Sequence, residues 1–376
     1  MALSFFKKIS RNHLLVLLLL CFSGNPLFVS NGNYQLKFII CLVTFLLICA
    51  SRNQLNVVLK GLCILSPFVF VSMIHLLGFG NTITPVLFFC VSLLIGCLAI
   101  GTIGKSFEKV YVDIMYWLAI FSLICFAIFK YTGILYGITL SSTEGVSLIF
   151  YTQLFSFGEV YDRNSGMFWE PGAYQGYLNL ALLFLLKSDK KGRDKWMKVV
   201  VFSLALFTTT STTGYLVYAV IIIMYVLRSK KLSQSNKFLL LIVITVFFTY
   251  EYYNLEFMKE KLEYETSLAE KDKSRVLDYM FFAELFKSNP LVGVGFADIP
   301  SGNGFLSFLL TWGVLGTIYY FTLLYNRIRR FWERQDTIVF ILILILCLQG
   351  EGFLSYPLFL GLPCIILNKA GYSSLK

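Results

Sequence analysis

The chain has 376 residues, of which 57% are hydrophobic and 14% charged, with a mean hydropathy of +0.73 and a net charge of +11. A soluble domain carries about a quarter charged residues, so a water-coated globule is excluded. Segments such as Ile338 to Leu348 are apolar on every face, which excludes a barrel of short alternating strands and leaves helices as the spanning element.

Taken in chain order, apolar runs predict spans at about 13–29, 36–50, 57–78, 83–103, 110–131, 172–186, 197–209, 213–227, 238–250, 305–325, 337–349 and 354–367. A helix needs roughly 20 residues to cross a ~30 Å hydrocarbon core, and several of these runs are shorter. The expected fold is an all-α polytopic membrane protein of about 12 transmembrane helices, a single integral membrane domain over 1–376. The first run resembles a signal-peptide core, but no small-residue cleavage site follows Leu27-Phe28-Val29, so it is expected to remain as an anchor. All nine cysteines fall inside apolar runs and read as packing residues.

With the N-terminus inside, 23 of the 32 Lys and Arg fall on inner segments. They include the run Lys187, Lys190, Lys191, Arg193, Lys195, Lys198 and the run Arg327, Arg329, Arg330, Arg334. The outer segments keep nine, and 15 of the 21 acidic residues lie there. Every short basic loop obeys the positive-inside rule. The basic balance is therefore an orientation signal and not a nucleic-acid footprint, and both termini are expected in the cytoplasm.

Two outer segments are enlarged, 132–171 and 251–304. In the second, Leu255, Met258, Leu262 and Leu268 alternate with Lys and Glu, a pattern for a short amphipathic helix in the headgroup region. Another helix is expected from Ser274, as N-cap, to a stop at Asn289-Pro290, which puts Arg275 in a first turn where free amides favour anions. The spans hold almost no mid-depth charge and show no Gly/Pro-broken pair of helices, so chemistry is expected at the outer surface. His75, near the outer end of the third span, is a weak catalytic candidate beside its plainer reading as a partly buried helix-end residue.

The most informative stretch runs from Arg163 to Gly176. It sets Arg163, Glu170 and the helix-starting Pro171-Gly172 at the outer mouth of a span. On physics alone, a capped helix with a rim ion pair is the reading preferred over a catalytic site.

Arg163, Gly166, Phe168, Glu170 and Pro171 resemble the R-x-x-G-x-F-x-E-P signature of the O-antigen polymerase (Wzy) and O-antigen ligase superfamily. Further features follow in the family's order. These are a Thr/Ser turn at Thr208 to Gly214, Asn289-Pro290-Leu291-Val292-Gly293-Val294-Gly295, Gly302-Asn303-Gly304-Phe305-Leu306, and Gly313-Val314-Leu315-Gly316. The resemblance covers about residues 160 to 320. Two departures stand out: Thr212 follows Ser211 where many relatives carry Arg, and Gly302 stands where ligases carry a catalytic His.

The resemblance implies a GT-C-like fold in the bacterial cytoplasmic (inner) membrane with an outward-facing active site. The implied activity is metal-independent glycosyl transfer without a cofactor. It joins undecaprenyl-diphosphate-linked repeat units into O-antigen, capsule or exopolysaccharide, with a chain-length regulator and other polysaccharide-assembly proteins as partners. Arg163 and Arg275 would clamp the diphosphate, and Glu170 would serve as general base. Asn303, Lys287 and Tyr174 would contact substrate, with Lys273, Glu284, Asp298 and Glu351 ranked lower. The alternatives are a ligase-type glycan transferase, disfavoured by Gly302, and a transporter or flippase of lipid-linked oligosaccharide.

Overall fold

The structure is a computed structural model that describes residues 10–29, 43–44, 55–78, 82–133, 136–140, 145–156, 159–160, 163–188, 192–228, 233–239, 242, 282–296 and 303–367. Its main helices are α1 (Arg11–Gly24), α2 (Leu55–Gly78), α3 (Ile83–Ile103), α4 (Phe107–Thr132), α5 (Pro171–Lys187), α6 (Arg193–Thr208), α7 (Thr212–Arg228), α8 (Gly304–Arg329) and α9 (Arg334–Leu348). Each coincides with a predicted span. Among the described residues, Asn56–Gly78, Ile83–Thr132 and Gly304–Arg329 are long and apolar enough to cross a membrane. The Ile83–Thr132 run divides where Gly104, at φ 61°, ends α3. The predicted spans at 36–50 and 238–250, and the amphipathic segment 255–268, lie almost wholly outside the described residues.

Large apolar side chains cover the outside as well as the core. Phe70 is 69% exposed, Leu77 89% and Ile318 59%. A soluble monomer does not leave such a surface open to water; a lipid-facing one does. The centre is α5, on which every residue from Ala173 to Leu186 is buried, with α4, α6 and α7 packed around it. A helix apolar on all sides belongs in an interior. Two amide side chains meet inside it: Asn179 Nδ2 donates to Gln175 Oε1 at 3.0 Å and to the Gly214 carbonyl at 3.2 Å, while Gln175 Nε2 and Asn179 Oδ1 are buried with no hydrogen-bond partner among the described residues.

Three features depart from expectation. The first outer loop carries a four-stranded antiparallel meander, β1 (Ile138–Thr139), β2 (Gly145–Ser147), β3 (Thr152–Ser156) and β4 (Glu159–Val160), in spatial order β1-β2-β3-β4. The register pairs Ile138 with Ser147, Gly145 with Leu154 and Phe155 with Val160. The fold is thus mostly helical rather than purely so. The Thr152 amide donates to the Gly166 carbonyl at 2.6 Å, which ties the sheet to the Arg163–Glu170 stretch.

Second, residues 354–367 do not form the continuous helix predicted for them. Pro357, Gly361 and Pro363 cut the segment into 3-10 turns at Phe353–Ser355 and Leu362–Cys364 around a one-turn helix, Pro357–Leu360. It starts beside Gly304, where an added Cβ would meet the Glu351 carbonyl, and ends beside Arg327, whose Nε donates to the Ile365 carbonyl at 2.5 Å. It covers those two levels in fewer residues than α8 uses, as the larger rise of 3-10 turns allows. Irregular backbone is tolerated at depth only when buried in protein, and here its groups are answered. The Leu358 amide donates to Ser23 Oγ at 2.9 Å, and the Tyr320 hydroxyl donates to the Phe359 carbonyl.

Third, α8 is broken, contrary to the expectation of unbroken spans. Gly313 sits at φ 65°, ψ −172°, and the turn 290–295 fills the gap. Val294 and Gly295 amides donate to the Leu310 and Thr311 carbonyls at 2.8 and 3.2 Å, while Val314 and Leu315 amides donate back to Pro290 and Leu291 at 2.9 and 3.0 Å. The 282–288 helical turn before it ends ahead of Pro290, where the stop signal predicts.

Charges gather where α5 and α7 end and α9 begins. Asp336, 4% exposed, pairs with both Lys187 and Arg228, and Lys198 pairs with Asp113. Removing the shared anion strands two cations that keep some solvent contact. Asp336→Ala should therefore cost about 3 kcal/mol, the low side of the range for a buried pair. A lowered melting temperature in detergent, with Lys187→Ala costing less, would show it.

Candidate active site

Glu170 is the N-cap residue of α5, and Pro171 occupies the first helical position, where its missing amide costs nothing. Three helices begin around one acidic turn, Gly350-Glu351-Gly352, which follows α9. An added Cβ on Gly172 of α5 would lie 2.2 Å from Glu351 Oε1, and one on Gly304 of α8 would lie 2.0 Å from the Glu351 carbonyl oxygen. On the third side, an added Cβ on Gly350 would lie 3.3 Å from Oγ1 of Thr213 in the first turn of α7. Helix N-termini present free amides and partial positive charge, so the geometry collects three anion-favouring ends at one place.

Glu351 is 7% exposed and forms a side-chain hydrogen bond with Glu170, which is half-buried. The Trp169 indole also donates to Glu351, and Arg163 lies within electrostatic reach. Burial pushes the Glu351 carboxyl far above its ordinary value of 4.5, and the neighbouring Glu170 pushes it further; the Trp169 hydrogen bond and the Arg163 charge oppose the rise. Glu351 is therefore the neutral member of the pair at neutral pH, and it donates to Glu170. Tyr356 closes this side, its ring 4.6 Å from that of Trp169.

The raised value has a consequence for stability whose sign is fixed. Below 4.5 both folded and unfolded states keep the proton, and stability is whole. Above it the unfolded carboxyl ionises while the folded one does not, so stability falls as pH rises, by up to about 1.4 kcal/mol per pH unit. Glu351→Gln does not titrate. It should melt higher than wild type at pH 8, with the gain vanishing below pH 4.5 in a thermal scan.

Arg163 is held by the turn after α6. Its Nε donates to the Thr209 carbonyl at 3.0 Å and its Nη2 to the Thr210 carbonyl at 3.1 Å, answering the open end of that helix with a cation. Asn164 continues the tether: its amide donates to the Thr208 carbonyl at 2.9 Å and its Nδ2 to Thr208 Oγ1 at 2.9 Å. The Thr/Ser turn, read in sequence only for its place in the family order, is thus what holds Arg163.

The remaining candidates separate. Asn303 caps α8, accepting from the Phe305 and Leu306 amides at 3.1 Å each, and donates to Gln349 Oε1 at 2.6 Å, so it belongs to the rim of the same turn. Tyr174, expected to meet substrate, is instead fully buried under Phe168, with its hydroxyl 2.8 Å from Ser122 Oγ. Lys287 and Glu284 are exposed on the 282–288 turn. His75 is fully buried, with Nε2 2.9 Å from the Val292 carbonyl, and it braces the turn that fills the break in α8. Arg275, Lys273, Asp298 and Gly302 lie outside the described residues. Glu351, ranked low in sequence, is brought into hydrogen-bond contact with Glu170; a lone acid between two glycines at the end of an apolar run was its only signal. No family model matches the chain, and no curated protein matches it.

Proposed function

We propose that the chain is a membrane glycosyltransferase that polymerises undecaprenyl-diphosphate-linked oligosaccharide repeat units at the outer face of the bacterial cytoplasmic membrane. The observation that carries this reading is the Glu170–Glu351 carboxyl pair, set among three helix N-termini with Arg163 beside it. Glycosyl transfer from a lipid diphosphate needs a base for the acceptor hydroxyl and positive charge for the leaving group. Glu170, on the more exposed side of the pair, takes the hydroxyl proton as the acceptor oxygen bonds to the anomeric carbon. The bond from that carbon to the diphosphate oxygen breaks, and the diphosphate leaves with its electron pair. Arg163 and, on the sequence reading, Arg275 stabilise the charge that develops there. Asn303 supports the rim.

The breaks in α8 and in the 353–364 segment give the carrier alternative one supporting feature, because discontinuous helices build midplane ion sites in transporters. In this chain the carbonyls opened at Gly313 are taken by the 290–295 turn, which favours the transferase.

Complementation of a polymerase-deficient strain, with glycan length read on a gel, tests the assignment. Arg163→Ala and Arg275→Ala should each shorten the glycan to single units at normal protein level. Arg163→Lys should recover little, because an ammonium cannot span the two carbonyls and a phosphate as a fork does. Normal length with either alanine variant would sink this reading.

A further inference from the structure

We propose that Glu351 is a positioning residue for Glu170: it hydrogen-bonds the Glu170 carboxyl from the buried side and leaves the half-exposed side to face the acceptor hydroxyl. The inference rests on the reading of Glu170 as general base and adds a second residue to that site. Four contacts fix Glu351. The Trp169 indole donates to it, Gly172 leaves room for its Oε1, Gly304 packs on its carbonyl, and Gly350 seats the turn on Thr213. A side chain so enclosed has little rotamer freedom, whereas Glu170, as an N-cap residue with a half-exposed side chain, would have more. The hydrogen bond transfers the rigidity of one to the other.

The charge balance agrees with the geometry. Two carboxylates in contact cannot both ionise, so the pair holds one proton. Glu351, the more deeply buried member, keeps it. A base displaced by about 1 Å loses on the order of 10²-fold in rate, and that is the loss expected when the brace is removed.

The experiment combines three variants with a spectrum that does not depend on activity. In the purified full-length protein in lipid nanodiscs, infrared spectroscopy at neutral pH should show the carbonyl stretch of a neutral, buried carboxylic acid. That band should vanish in Glu351→Gln and persist in Glu170→Gln. In the complementation assay, Glu351→Gln, which still donates a hydrogen bond, should keep long glycan. Glu351→Leu, which cannot, should lose about 10²-fold in elongation. A band that survives Glu351→Gln overturns the proposal, as does full-length glycan with Glu351→Leu or loss of elongation with Glu351→Gln. Should Glu351→Leu not accumulate, the spectrum and the Glu351→Gln glycan decide. Full-length glycan with Glu170→Gln would instead overturn the general-base reading on which the inference stands, so the two failures are distinguishable.

Discussion

Glu170→Gln is expected to reduce glycan elongation by about 10²–10⁴-fold, the usual cost of removing a placed general base, while protein in the membrane fraction stays at its normal level. The amide keeps the shape of the acid and can still accept the Glu351 hydrogen bond through its carbonyl, so the turn 350–352 and the start of α5 should remain folded. What the amide lacks is a basic oxygen. A purely structural Glu170 predicts the opposite pattern, with elongation retained and melting temperature lowered. Measuring glycan length and melting temperature on the same variant separates the two. If Glu170→Gln extends glycan at the wild-type rate, the proton goes elsewhere and the mechanism falls.

Gly313→Ala should give the largest loss of folded protein. At φ 65°, ψ −172° the residue occupies backbone space that is essentially reserved for glycine, worth up to about 3 kcal/mol of strain for any other residue. An added Cβ would also lie 2.2 Å from the Leu291 carbonyl oxygen. Backbone on both sides of that contact is fixed by the hydrogen bonds between 290–295 and 310–315, so neither can retreat without opening the break. Gly133→Ala is the control. It has a similar φ of 65° and ends α4, but nothing lies within 4 Å of its added Cβ. It should cost only about 1 kcal/mol, the ordinary cost of the left-handed region for alanine. Membrane-fraction yield and detergent melting curves for the pair would show whether the collision, beyond the dihedral, decides the outcome.

These residues also mark the boundary of what the amino-acid sequence discloses. Helices α1 to α9 were legible because a helix closes its hydrogen bonds locally and its apolar content shows directly in hydropathy. Pro171 before the α5 run marked its start for the same reason. The sheet at 138–160 was not legible, since its strands are two to five residues long and their pairing is a matter of register. The segment 354–367 has the hydropathy of a span but carries Pro357, Gly361 and Pro363, and composition outvoted those breakers. Arg163 and Glu170 stood out in the sequence because they precede a helix start marked by Pro171. Glu351 did not, because its meaning depends on Glu170, which is distant in the chain. Tyr174 shows the converse error: an aromatic near a mouth was taken for a contact surface, whereas Gly166 and Phe168 fold over it.

The broken segment that follows Glu351 bears on how the protein is made. Helices such as α2 and α3 close their own backbone bonds and can enter the bilayer singly. The stretch from Glu351 to Ile365 cannot, because its partners are Ser23, Tyr320 and Arg327 on elements that precede it. It must wait for a slot walled by α1, α3 and α8 and then dock as a plug. Glu351 arrives only with that plug. Glu170 can be in place early in synthesis, but the carboxyl pair is complete only after the chain beyond α9 has emerged and docked. A ribosome-bound or truncated chain therefore carries Glu170 without Glu351 beside it.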